Sequence, residues 1–206
     1  VIKAEKALLF IMMNAVLFII ATFFINSICF YLSPIALFVI LFYSYTKRFT
    51  FLCHLVLGIG LSLAPIGAFL AVTGEFNIVP LLFSFAVVFW VSGFDVIYAL
   101  QDIEFDKSQS LYSIPSYLGL HKALNIARAL HVISAGFVIA AFFLGGFHIV
   151  YLGGLFVFIG MLIYQHSIVK PHDLRKVNIA FMTANGIASI VFSIFVIADI
   201  LMSTFL

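Results

Sequence analysis

The placement of ten basic residues constrains this chain more than any other feature. Lys3 and Lys6; Lys47 and Arg48; Lys107, Lys122 and Arg128; Lys170, Arg175 and Lys176 are all of its Lys and Arg. A bilayer-spanning helix needs about 20 mostly apolar residues. Runs of that kind are read near 6–28, 31–45, 51–73, 78–100, 123–144, 147–168 and 178–204. The basic residues sit at alternate ends of these seven segments, so every one of them falls on one membrane face. The connections around 28–32, 73–77 and 145–148 hold one acid, Glu75, and no base. Cytoplasmic loops carry the Lys/Arg excess, which predicts a cytoplasmic N-terminus and a C-terminus on the opposite side. The second segment is short, and Pro34 near its start suits a first-turn position, where a missing N–H costs nothing.

Composition agrees. Of 206 residues, 65% are apolar and 9% charged, with 26 Phe. A soluble domain averages about 25% charged residues, and a globule of this size buries only about 70% of its unfolded surface. The sequence therefore predicts an all-α, polytopic transmembrane helical bundle of seven spans, and it excludes soluble, secreted disulfide-rich and disordered classes. A net charge of +2 offers no basic face for nucleic acid. No repeat period divides the chain, so residues 1–206 are read as one transmembrane domain. Cys29 and Cys53 fall at opposite ends of the membrane. A hydrocarbon core about 30 Å thick forbids a disulfide between them, and they read as apolar filler. Val1 opens the chain without an initiator Met or a signal-peptide pattern, which predicts a processed chain or a fragment.

With charge so scarce, the acids are informative. Four of the eight lie between Asp95 and Asp106, at the end of the fourth span and in the loop after it. At about 100° per residue, Asp95, Asp102 and Asp106 fall on one helical face, running from inside the membrane to its edge, while Glu104 points away. Like charges on one face repel, and acids at membrane depth are expensive. Carboxylates without nearby His or Cys suit a hard cation, Mg²⁺ above all, held by one or two carboxylates plus phosphates and water. The bland alternative is a solvated helix end. A cation or proton pathway would place ionisable groups in several spans, yet outside this cluster only Asp199 is read inside one, alone and near the far end. Lys47 and Arg48, on the same face, have the reach for a diphosphate but equally suit plain membrane anchoring, as do Lys107 and Lys122. Asn185 reads as an interhelical hydrogen-bonding residue. His54, His131, His148 and His166 have no partner spacing and read as packing or interfacial residues.

These residues resemble a known family. Asp95-x-x-Tyr98-Ala99-x-x-Asp102-x-x-x-Asp106, followed by Ser113-Ile114-Pro115-x-x-x-Gly119, resembles the second aspartate-rich motif and adjacent loop of the UbiA superfamily of intramembrane aromatic prenyltransferases. Tyr43-x-x-x-Lys47-Arg48 resembles its Tyr…Lys-Arg segment, and Phe181-x-x-x-Asn185-Gly186 its last-helix pattern. The resemblance covers essentially the whole chain. It implies a fold of nine helices around a cavity open to lipid, in which two Asp-rich motifs hold Mg²⁺ and a prenyl diphosphate. The first of those motifs is absent here. The opening Val1-to-Ala7 stretch looks like what ordinarily follows it, so the expectation is a C-terminal part lacking helices one and two.

By the same resemblance, the complete protein is expected to be a Mg²⁺-dependent prenyltransferase. It would move a polyprenyl group from polyprenyl diphosphate to an aromatic acid, with 4-hydroxybenzoate in quinone biosynthesis as the leading acceptor. A naphthoate acceptor for menaquinone is the nearest rival. Asp102 and Asp106 would bind the metal and Asp95 would orient the site. Lys47 and Arg48 would hold diphosphate, and Tyr98 and Asn185 would contact substrate. The implied location is a bacterial inner membrane, with the Asp-rich loop cytoplasmic. Alternatives from other classes are a transporter, which would show ion-dependent flux, and a catalytically silent fragment.

Overall fold

The computed structural model describes residues 3–205. Seven helices among these are long and apolar enough to cross a membrane. They are α1 (Ala4–Ile25), α2 (Ser27–Thr46), α3 (Cys53–Thr73), α4 (Ile78–Tyr98), α7 (Leu120–Leu144), α8 (Ile149–Ile168) and the last, a π-helical turn (Ile179–Ala184) continuing into α9 (Asn185–Phe205). Two short helices, α5 (Ile103–Ser108) and α6 (Ile114–Leu118), lie between α4 and α7, and a 3₁₀ turn (Ala99–Asp102) joins α4 to α5. No β-strand occurs among the described residues. The all-α spanning bundle read from the apolar runs is the fold found.

Two boundaries differ from expectation, each for a physical reason. The first connection is a single residue, Asn26, in extended conformation. Its side-chain oxygen accepts from Cys29 N (2.9 Å) and so caps α2, while its amide donates to Leu70 O (2.8 Å) near the end of α3. One polar residue thus does the work of a loop, because in lipid every backbone group at a helix end needs a partner. Since α2 starts at Ser27, Pro34 lies in its interior and not in a first turn. A proline there leaves the carbonyl four residues back without a donor. That carbonyl is Phe30 O, and the Ser33 hydroxyl donates to it at 2.8 Å.

The centre of the bundle is α4, packed between α3 and α7. Small residues allow the approach: a Cβ on Gly58 would collide with Val88 O of α4, and one on Gly93 with the His131 ring of α7. Such small-residue contacts are how membrane helices pack without a hydrophobic driving force. Ser134 Oγ adds a bond to Ala86 O (2.8 Å). The core forms two layers. One, including Val96, Ile97, Leu100, Ile114, Leu124 and Val177, lies beneath the Asp-rich turn. The other, including Ala86, Val138, Tyr151, Phe158 and Ala188, lies toward the opposite end. In contrast, Thr22 is the only buried residue of α1, and Phe10 and Phe24 are exposed on it, as expected of a lipid-facing surface.

Asp199 lies near the far end, as read, but it is not isolated. Its two oxygens accept from His148 N (2.8 Å), at the N-cap of α8, and from Tyr151 N (3.0 Å) in its first turn, and the His148 ring sits 3.7 Å away. A buried acid of α9 therefore caps its neighbour. Asp199→Ala should lower stability in detergent by roughly 1.5–3 kcal/mol, the worth of hydrogen bonds to a charged group. Asp199→Asn, which keeps an acceptor, should cost less; equal melting curves for wild type and Asp199→Ala would contradict the cap.

Candidate functional site

The chain leaves α-helical geometry right after Tyr98, and this reshapes the acidic cluster. A 3₁₀ turn advances about 120° per residue against about 100° in an α-helix. Four such residues add roughly 80° of rotation between Asp95 and Asp106. The three acids are therefore spread over about 100°, wider than the narrow stripe expected from a continuous helix. No group of three or more His, Cys, Asp or Glu side chains is disposed to hold one metal among the described residues. Instead, each acid has its own environment.

Asp106, on α5, is almost fully buried, and Lys47 Nζ sits 3.1 and 3.2 Å from its two oxygens. Asp95, on α4, has a side chain 18% exposed and pairs through Oδ2 with His54 Nδ1 at 2.7 Å. Asp102 is half-buried and makes no side-chain hydrogen bond or ion pair among the described residues. Arg48 is exposed, lies 5.5 Å from the Tyr45 ring, and likewise has no acidic partner there.

The turn between α2 and α3 holds this arrangement together by gripping the segment after the acids at several points. Tyr112 N donates to Lys47 O (2.7 Å), and the Cys53 thiol lies 3.6 Å from Tyr112 O. Ile114 N donates to His54 Nε2 (3.3 Å), and Phe51 stacks on Tyr117 at 4.9 Å. Between these points Ser113 and Ser116 cap α6 reciprocally, with Pro115 in its first turn, so the Ser-x-Pro sequence builds a stiff element. Both cysteines are free. Cys53 is more than filler, because it contacts the loop.

Tyr98 leads away from the acids into an aromatic column. Its ring lies 4.3 Å from Phe181, which meets Phe94 at 5.5 Å, and Phe94 meets Trp90 at 5.6 Å. Phe181 sits in the π-helical turn, a distortion frequent at functional sites. Asn185 directly follows it. Asn185 Oδ1 accepts from Trp90 Nε1 (3.1 Å) and from Gln165 Nε2, and its amide donates to Phe181 O (2.8 Å). It joins α4, α8 and α9, as its reading as an interhelical residue predicts. The fold thus brings Lys47 to Asp106, and Tyr98 to the column that ends on Asn185. It does not bring Asn185 among the acids.

Below the column is a cavity of about 600 Å³, lined by Pro65, Ala86, Trp90, Phe158, Phe192 and Val196 among others and almost wholly apolar. A second space of about 480 Å³ shares Pro65, Phe83 and Val196 with it and extends toward Asn77 and Gly145 at the opposite end. Trp90 therefore touches both the polar junction and the apolar space.

Several residues here escaped sequence reasoning. His54 read as packing, yet it binds Asp95 and the loop backbone. His131 and His166 also read as packing, yet they meet at 3.0 Å, with His131 Nε2 also 3.3 Å from Trp90 O. These pairings link residues 35 to 60 apart in the chain, and no local spacing signals them. Away from the site, the Arg175 guanidinium hydrogen-bonds Asp173 and holds its carboxyl well below the usual carboxylate range. That pair neutralises itself in the α8–α9 connection.

The donor chemistry fits a magnesium ion. Asp102 presents carboxylate oxygens without a competing partner among the described residues, and Asp106, one helical turn later, would add a second carboxylate once Lys47 releases its two oxygens. Mg²⁺ commonly takes one or two carboxylates and completes its shell with phosphate and water.

The family model of the UbiA prenyltransferase family matches residues 1–187. A 4-hydroxybenzoate octaprenyltransferase of Coxiella burnetii is 29% identical over 188 residues, covering 91% of this chain and 65% of that protein. One from Nitrosomonas europaea is 30% identical over 169 residues, covering 82% of this chain and 58% of that protein. The chain spans less than two thirds of the length of these relatives. Among solved structures, the apo structure of a UbiA homolog from Aeropyrum pernix K1 superposes with a TM-score of 0.83 at 26% identity, covering 97% of this chain and 74% of that one.

Proposed function

Because the chain belongs to the UbiA prenyltransferase family, we propose that its full-length protein transfers a polyprenyl group from polyprenyl diphosphate to an aromatic acceptor, with Mg²⁺, and that 4-hydroxybenzoate is that acceptor. The observation that carries this reading is the juxtaposition of two unlike regions. A carboxylate and lysine cluster suited to a metal diphosphate lies at one end of α4, and an apolar cavity suited to a polyprenyl tail lies beside its middle. The relatives from Coxiella burnetii and Nitrosomonas europaea are 4-hydroxybenzoate octaprenyltransferases, which favours 4-hydroxybenzoate over a naphthoate.

In the proposed reaction, the bond between the allylic carbon and the diphosphate oxygen breaks, and a bond forms from that carbon to the electron-rich ring. The ring proton is then lost. Bound Mg²⁺ supplies charge neutralisation on the departing diphosphate. Asp102 and Asp106 hold the metal. Lys47 neutralises Asp106 in the resting site and, with Arg48, which has no acidic partner among the described residues, faces the incoming diphosphate, so that positive charge stands where negative charge develops. Asp95 orients this end. Tyr98 and Asn185 flank the acceptor along the aromatic column, while Trp90, Phe158 and Phe192 line the path of the tail. All ten bases lie at the connections or toward the helix ends on the Asp-rich side, which supports a cytoplasmic orientation for it and an inner-membrane location.

The test is direct. Full-length protein in lipid nanodiscs, given a labelled polyprenyl diphosphate, 4-hydroxybenzoate and Mg²⁺, should form a prenylated aromatic acid. EDTA should stop turnover and excess Mg²⁺ should restore it. Preference for a naphthoate would move the acceptor assignment. Ion flux in liposomes without consumption of prenyl diphosphate would replace the enzyme reading with a transporter.

A further inference from the structure

The geometry points to His54 as a positioning residue that holds Asp95 and the segment after the Asp-rich turn in a fixed relation. This inference rests on the prenyl-transfer reading above. His54 is fully buried at the start of α3. Its Nε2 lies 3.3 Å from Ile114 N. A backbone N–H can only donate, so Nε2 accepts, and the proton of the neutral ring sits on Nδ1. Nδ1–H then donates to Asp95 Oδ2 at 2.7 Å. One ring therefore orients a carboxylate of α4 on one side and a backbone amide of α6 on the other. Asp95 Oδ1 remains for a ligand.

The ring is itself anchored. Ser92 Oγ, on the same face of α4 as Asp95 and one turn earlier, donates to His54 O at 3.1 Å as well as to Val88 O. Cys53, the preceding residue, contacts Tyr112 O, two residues before Ile114. At the other end of the segment Lys47 grips Asp106, and Leu111 N donates to Asp106 O (2.8 Å). The stretch from Asp106 to Ile114 is thus fastened at both ends to residues 47–54. Asp102 lies between the two held acids and has no fastening of its own. Its position follows from where Asp95 and Asp106 are held, and His54 is the only side chain bonded to both Asp95 and the loop among the described residues. It does so without touching the reacting atoms.

Three variants in the full-length protein separate the two bonds. His54→Leu removes both. His54→Asn places an amide near the former Nδ1 and keeps the donor to Asp95. His54→Gln places an acceptor near the former Nε2 and keeps the bond from Ile114. Two readouts are taken: hydrogen exchange of peptides across residues 110–118, which needs no metal or substrate, and kcat and KM for prenyl transfer. For His54→Leu, exchange should rise at least about tenfold, and kcat should fall about 10- to 100-fold with KM changed less than about threefold, the scale seen when a residue supporting metal ligands is lost. His54→Asn should recover kcat while exchange stays fast, and His54→Gln should recover protection while kcat stays low.

If exchange and kcat in His54→Leu match wild type, the inference is overturned. It is equally overturned if Asn and Gln variants lose kcat and protection together, in step with their melting temperatures, because that is the signature of packing alone. Should His54→Leu fail to fold, the Asn and Gln pair decides. A wild-type protein that transfers no prenyl group would defeat the proposed reaction, and the exchange measurements would still show whether His54 holds the loop.

Discussion

Asp102→Ala is expected to reduce prenyl transfer by about 10²–10³-fold, the loss typical of removing one group that stabilises charge developing in a transition state, while leaving the melting temperature unchanged. The two halves of this expectation have the same origin. Asp102 is half-buried, caps no helix through its side chain and has no side-chain hydrogen-bond partner among the described residues. Nothing in the fold depends on its carboxylate, and substitutions away from named interactions generally stay within about 0.5 kcal/mol. A carboxylate with no partner among the described residues, seven residues from Asp95 and four from Asp106, is nevertheless a standing electrostatic cost, which a bound cation would offset. Asp102→Asn should behave like Asp102→Ala, since it keeps the shape and loses the charge. Raising Mg²⁺ should recover part of the activity in both. Wild-type turnover in either variant would remove Asp102 from the metal site.

How much of this was legible beforehand depends on how far apart the interacting residues lie. Spans follow from runs of apolar residues, which are local, and all seven were found with ends shifted by a few residues. Reading 28–32 as the connection puts Pro34 in a first turn, although those residues, Ile-Cys-Phe-Tyr-Leu, belong to the helix. Asn26 closes that turn alone by bonding to α3, a contact across 44 residues. The acidic cluster was visible because the acids are neighbours in sequence. Their wider angular spread was not, because a change from α to 3₁₀ winding leaves no mark in the composition of Ala99-Leu100-Gln101-Asp102. His54 and Asp199 show the same limit from opposite ends of the bundle. Each looked solitary along the chain, and each proved to be bonded to backbone amides of another helix. In a low-dielectric interior an unpaired polar group is costly, so a lone buried His or Asp in a span implies a partner, though not which one. Asn185 illustrates the useful version of that rule, since its reading as an interhelical hydrogen-bonding residue matches its two bonds to Trp90 and Gln165.

The Lys47–Asp106 pair should give the largest stability effects, and they should be unequal. Asp106 has a side chain 1% exposed, whereas Lys47 is 32% exposed. If Asp106 is replaced by Asn, the lysine can swing its ammonium toward water on a flexible stem, so the expected cost is about 1 kcal/mol, that of one lost hydrogen bond. If Lys47 is replaced by Met, the carboxylate stays buried without its counter-charge. Breaking a buried pair in that way costs about 3–5 kcal/mol; the partial exposure of Lys47 places this case at the lower end, about 3. The double variant, Lys47→Met with Asp106→Leu, removes both charges together and should regain most of the lost stability, because a well-packed apolar replacement of a buried ion pair is often neutral or better. Asp106→Leu alone, denatured beside Lys47→Met, the double variant and wild type in the same detergent, completes a double-mutant cycle. Activity should not follow stability: the double variant should fold nearly as well as wild type and transfer no prenyl group. That separation matters more than either number. If the pair served only to hold α5 against the α2–α3 turn, the recovered fold would recover turnover as well. Loss of turnover in a stable double variant would show that the two charges act on a ligand, and that their bond to each other is what the site does while it waits.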